Sequence, residues 1–152
     1  MKKTWILIAN ADRARIFERQ AVDHALLELA DFVHPAKNLV DEAAGGDLTG
    51  AAGKGHGRTG HAGTQFEPHI ELKDRARANF ARQLADHVNQ AVTEQRCQAL
   101  VLIASSPMLG DLKPLLSSAA SGALGRTVAR DLTRYQHAEL QSRVDQALQL
   151  PA

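Results

Sequence analysis

Thr4-Trp5-Ile6-Leu7-Ile8-Ala9-Asn10-Ala11-Asp12-Arg13-Ala14-Arg15-Ile16-Phe17-Glu18 is the stretch whose reading decides the fold. Its first half is β-branched and aliphatic, as a buried strand requires. Asn10 and Asp12 supply turn chemistry, and Ala14 to Glu18 resumes an extended pattern. Two short strands around an Asn/Asp turn make a hairpin. Gln20 to His24 reads as a second turn. Leu26 to Val33 alternates as a third strand, with Leu27, Leu29 and Val33 predicted on one face and Glu28 and Asp31 breaking the other. The N-terminal third is thus a three-stranded meander.

Working outward, Cys97 to Ala104 is a near-continuous apolar run, the signature of a central strand covered on both faces. Before it, Ala76, Phe80, Leu84, Val88, Ala91 and Val92 recur at helical spacing, which predicts a helix from an Asp74 N-cap to about Gln95. After it, Ser105-Ser106-Pro107 offers a capped helix start, predicting a short helix over Met108 to Ser118. Leu124 to Arg130 reads as a weaker strand and Asp131 or Gln136 to Leu148 as a final amphipathic helix. The order predicts an α/β fold: a mixed five-stranded sheet, order 3-2-1-4-5, with helices on both faces.

Between the meander and the long helix the pattern changes. Eight of the eleven glycines lie between Gly45 and Gly63, in a stretch without apolar periodicity. The expectation is a single domain over residues 1–152 carrying a flexible Gly-rich loop at about 41–69. A length of 152 residues suits one core. One cysteine forbids an internal disulfide, and a formal charge of +1 excludes a strongly basic nucleic-acid clamp. The apolar run after Lys2 and Lys3 is too short for a signal-peptide core, and no stretch approaches a membrane span. A soluble, cytoplasmic location is expected.

The strand order is also ribonuclease-H-like, an arrangement on which nuclease chemistry makes definite demands. Two-metal nucleases need carboxylates converging from strand ends. Here the first strand ends in Asn10 and the central one in Ser105-Ser106, and the inward face of the long helix has no acid. That chemistry is missing.

Residues 5–17, Trp5 through Phe17, resemble the opening signature of the bacterial host attachment protein family, described as required for attachment to host cells. Leu100 to Leu112 is similar to its second signature and Val128 to Thr133 to its third. That family in turn resembles the middle domain of archaeal and eukaryotic peptide-chain release factors. Lys54-Gly55-His56-Gly57-Arg58-Thr59-Gly60 looks like their Lys-His-Gly-Arg-Gly-Gly-Gln loop, and Arg75 to Ala81 like the arginine-rich helix start after it. The departure is chemical: Thr59-Gly60-His61 stands where Gly-Gly-Gln would be read, and Gly63-Thr64-Gln65 is the nearest echo. Threonine resists the backbone freedom that glycine allows.

Lys54, His56, Arg58, His61, Arg75, Arg77 and Arg82 are therefore the expected RNA- or anion-binding residues, with the ribosome or a structured RNA as partner. Three arginines near a helix start oppose its macrodipole, which an anion would offset. Gln65 is the weak catalytic candidate, for hydrolysis of an RNA-linked ester. His56, His61 and His69, with Asp47 or Glu67, make a poor zinc pattern, so neither metal nor cofactor is expected. Ser105 and Ser106 read as helix capping, Cys97 as packing, and Asp12, Arg13 and Arg15 as a turn and an exposed strand edge or a contact surface. The function expected is a non-enzymatic cytoplasmic binding protein that presents a mobile basic loop to RNA. The alternative is an indirect role in attachment to host cells.

Overall fold

The computed structural model describes residues 2–34 and 62–149. Strands β1 (Thr4–Ala9), β2 (Arg13–Arg19) and β3 (Leu26–Val33) form the meander. Helix α1 (Ala62–Thr93) leads to β4 (Ala99–Ala104), then α2 (Ser106–Leu112), a 3-10 turn (Lys113–Leu115), α3 (Ser118–Ala123), β5 (Leu124–Ala129) and α4 (His137–Ala147). The five strands make one sheet in the order β3-β2-β1-β4-β5. β2 runs antiparallel to β1 and β3, whereas β4 runs parallel to β1 and β5.

Alternation in β1 sorts its side chains between two cores. Trp5, Leu7 and Ala9 join Phe80, Leu84 and Val88 of α1 and Met108 and Leu112 of α2. Ile6 and Ile8 meet Leu140 and Val144 of α4. Ile6, Leu7 and Ile8 are each at most 1% exposed, worth about 1.5–3 kcal/mol apiece as buried aliphatics. Cys97 is buried, and burial pushes its thiol up to about 11, consistent with packing and not nucleophilic chemistry.

Four expectations are corrected. Asp74 is not an N-cap, because α1 is already helical from Ala62; residues 62–69, assigned to the loop, lie on it. Arg75 and Arg77 are therefore mid-helix. Residues 71–79 are largely exposed and held locally, by Glu71–Arg75 at 3.7 Å and Asp74–Arg77 at 3.2 Å, so they show no apolar period to read. Leu27, Leu29 and Val33 are 53%, 41% and 59% exposed. β3 is an edge strand, and a bulge opposite Ile16/Phe17 inserts Leu29, leaving Ala30 and Phe32 against the core. Arg15 is buried, not on an exposed edge. It donates from Nε and Nη2 to Glu28 (3.0 and 3.2 Å) and from Nη1 to the Tyr135 carbonyl (2.7 Å). Finally, the helix expected over Met108 to Ser118 stops at Leu112, and Leu116 is extended. Ser117 then caps α3 by accepting from the Ala120 amide, while Asn89 of α1 pins the junction through Leu115 O and Ser117 N.

Gln95 ends α1 with φ 64, and the bonds Gln95 N to Val92 O and Arg96 N to Ala91 O close a Schellman motif without glycine. About two turns earlier, His87 lies between Trp5 (6.1 Å between ring centroids) and Phe32 (5.3 Å). Burial, then the positive field of Arg96, lowers its pKa. A histidine pKa below its unfolded value adds stability that is whole above about pH 6.5 and is lost as pH falls through the folded value. Thermal melts from pH 7.5 to 5 should show a larger loss for the wild type than for His87→Gln. Parallel losses would remove His87 from the account.

Candidate strand-end site

Because β1, β4 and β5 are parallel, their carboxyl ends arrive together, with Ala9, Ala104 and Ala129 in register. Polar residues come next: Asn10 and Ser105 directly, and Asp131 after Arg130. Open α/β sheets bind ligands at such ends, where the strand order switches direction. The switch here is at β1, flanked by β2, which a turn joins to it, and by β4, which the chain reaches from β3 through α1.

Asn10 organises the site. Its Oδ1 accepts the amides of Asp12 and Arg13, both at 2.8 Å, which folds the β1–β2 turn. Its Nδ2 donates to Asp131 Oδ2 (2.9 Å) and Thr133 Oγ1 (3.0 Å). Asp131 Oδ1 in turn accepts the Thr133 amide (3.0 Å) and hydroxyl (2.7 Å). For the Asp131 carboxyl, desolvation works toward the neutral form. The bonds from Asn10 and Thr133, with Arg134 nearby, outweigh it and lower the pKa, so the group is charged at neutral pH. The Ser105 amide donates to Ala9 O at 3.2 Å and ties β4 to the same corner. On the other side His34 N donates to Asp12 O (2.9 Å), and the His34 ring stacks on Phe80 at 4.8 Å.

The three blocks around Asn10, Ser105 and Asp131 are therefore one place in space. Ser105 stands at the α2 N-cap but its hydroxyl makes no capping bond, so the capping expectation holds for position and not for chemistry. Among the described residues no group of three His, Cys, Asp or Glu is placed to hold a metal ion. The arrangement is one of hydrogen-bonding groups: exposed Asp12 and Ser106 and half-buried Ser105, set on a rigid base.

The expected RNA-binding residues lie elsewhere. Lys54, His56, Arg58 and His61 fall outside the described residues, as does Asp47. Gln65, Glu67 and His69 lie on α1 by their backbone. Arg77 is held first by Asp111 of α2, which raises its pKa, and then by Asp74. Arg75 meets Glu71, and Arg82 donates to Asn79. These three arginines lie along one helix, Arg75 and Arg82 with partners on it and Arg77 with Asp74 on it and Asp111 on α2. Sequence reading missed the Asn10–Asp131–Thr133 constellation; its one signal was that the predicted strand order puts strand ends one, four and five side by side.

Fold and site define a class: a mixed-sheet α/β domain whose polar groups gather at the parallel strand ends. Comparison with known families makes this specific. Residues 5–144 match the family described as protein required for attachment to host cells, and the chain belongs to that family. An uncharacterized protein of Rickettsia prowazekii (strain Madrid E) is 31% identical over 75 residues, 48% of this chain and 50% of that protein. The match thus spans half the length of that relative. A solved Ppx/GppA phosphatase of Aquifex aeolicus, a type II variant, aligns at a TM-score of 0.42 and 9% identity, covering 85% of this chain and 36% of that one. No helix among the described residues is long and apolar enough to cross a membrane.

Proposed function

We propose that the chain contributes to the attachment of bacterial cells to a host, as a binding protein that engages a partner with its strand-end surface. The family match over residues 5–144 carries this reading. The geometry supports binding: Asn10, Asp131 and Thr133 satisfy one another and stiffen the base, leaving Asp12, Ser105 and Ser106 with hydroxyl and carboxylate groups for a partner. Rigid first neighbours of this kind favour recognition because little freedom is lost on docking.

A deletion strain should bind host cells less well, with attachment restored by the wild-type gene and not by an Asp12→Arg, Ser106→Arg double variant. Both residues are exposed, so the variant should fold. Normal attachment by the deletion strain would sink the proposal. The likeness to release-factor middle domains, with the RNA reading that accompanies it, is separated by ribosome co-sedimentation. Salt-sensitive pelleting that Lys54→Ala and Arg58→Ala abolish would favour RNA instead.

A further inference from the structure

The opposite end of the sheet carries a concavity of about 330 Å³ lined by Lys2, Thr4, Arg19, Gln20, Ala21 and His24. Thr4 and Arg19 are cross-strand partners, at the start of β1 and the end of β2. The turn beside them is firmly built. Gln20 N donates to Ala25 O (2.8 Å) and His24 N to Gln20 O (2.9 Å). From α4, Gln141 donates to the His24 carbonyl (2.9 Å) and accepts the Leu26 amide (3.1 Å). These bonds hold His24 at φ 60, a left-handed conformation that L side chains seldom adopt and that is kept where surroundings enforce it.

The enforced turn sets the imidazole against Arg19, whose Nε donates to His24 Nδ1 at 3.3 Å. An imidazole brings no negative charge, so this bond orients the guanidinium without neutralising it. Among the described residues, Arg13, Arg15 and Arg77 are the other arginines at least partly withdrawn from solvent, and each has a carboxylate partner. Arg19 has none, and Lys2 has none. Asp23, in the same turn, spends Oδ1 on the Ala25 amide (3.0 Å) and does not line the concavity. A positioned guanidinium, an exposed ammonium, a hydroxyl and an amide thus share a recess whose lining has no acid.

We propose that this recess binds a phosphate group, with Arg19 as a two-pronged donor, Lys2 as a point charge, and Thr4 and Gln20 as neutral donors. A guanidinium fork matches tetrahedral oxyanions, and two cations match a phosphate dianion better than a single-charged carboxylate. The recess is at the lower end of the roughly 300–1,000 Å³ typical of ligand sites. A soluble phosphate ester and a lipid headgroup offer the same chemistry.

Inorganic phosphate titrated into isotope-labelled protein should give saturable NMR shifts at Thr4, Arg19, Gln20, Ala21 and His24. Arg19→Gln should weaken binding about tenfold or more, consistent with loss of charge-assisted bonds, with its fold checked by circular dichroism. Arg19→Lys, which keeps the charge and loses the fork, and Lys2→Gln should each weaken binding severalfold. They carry the test if Arg19→Gln does not fold. Shifts that never saturate, shifts centred on Arg126 and Arg130, or unchanged affinity in the variants would overturn the proposal. Vesicles containing phosphatidic acid that retain the wild type and not Arg19→Gln assign the group to a lipid. Phosphate binding with no vesicle retention assigns it to a soluble ester.

Discussion

Phe80→Ala is expected to lower the unfolding free energy by about 3–5 kcal/mol, the range for removing a fully buried aromatic ring. Phe80 is 0% exposed and joins Leu84, Val88 and Ala91 in the face of α1 that packs on the sheet. Its ring also covers His34 at an interplanar angle of 3°, so the cavity would open beneath the end of β3 as well as beneath the helix. In a domain of this size each kcal/mol moves the melting midpoint by roughly 2–4 °C, so a fall of about 10 °C is expected. Phe80→Leu, which keeps most of the volume, should cost far less. A midpoint within about 2 °C of wild type for Phe80→Ala would mean that α1 is not anchored as described.

Asn10→Ala is expected to cost about 2–4 kcal/mol, from four side-chain hydrogen bonds at a net 0.5–1.5 kcal/mol each that are not fully additive. It removes the acceptor that folds the β1–β2 turn and the donor that reaches Asp131 and Thr133. Thr133 is 4% exposed and has little water to turn to. Asn10→Asp separates the two roles. The acceptor for the turn survives, but two carboxylates then stand within hydrogen-bonding distance, so one of them holds its proton to a higher pH than usual. A carboxyl pKa raised on folding adds stability that is whole below the unfolded value of about 4 and is lost as pH rises through the raised one. Urea melts of Asn10→Asp should therefore show greatest stability near pH 4, opposite to the wild type, in which Asp131 has a lowered pKa. A pH profile parallel to wild type would show that the Asn10–Asp131 bond is not made in solution.

β1 and β4 were legible because a strand buried on both faces leaves no room for polar residues, and their flanking turns are chemically marked. The sheet order followed from them. The earlier part of α1 was hidden because its exposed residues 71–75 obey local ion pairs such as Glu71–Arg75, not an apolar period. β3 was recognised as a strand but turned the wrong way, because one inserted residue, Leu29, resets the alternation on which facing depends. α3 consists of small residues, Ser118 to Ala123, and only Ala120 is buried, so it has no stripe to detect. At the site, Asn10 was read as a turn residue, which it is. Its second role spans 121 positions in sequence to Asp131, and no spacing rule carries that distance.

The pairing of Thr4 with Ala99 also sets a schedule for the ribosome that makes this chain. The β1–β2 hairpin is complete as a sequence early, but the strand that must close the other side of β1 lies about ninety-five residues further on. At roughly 5–20 residues per second, that is a wait of about 5–20 s with the backbone of a strand rich in Ile and Leu unpaired along one side. Unpaired apolar edges recruit other chains. Expression yield should thus fall with warmth and with loss of chaperones that hold nascent chains, and it should do so even in variants whose finished fold is as stable as the wild type.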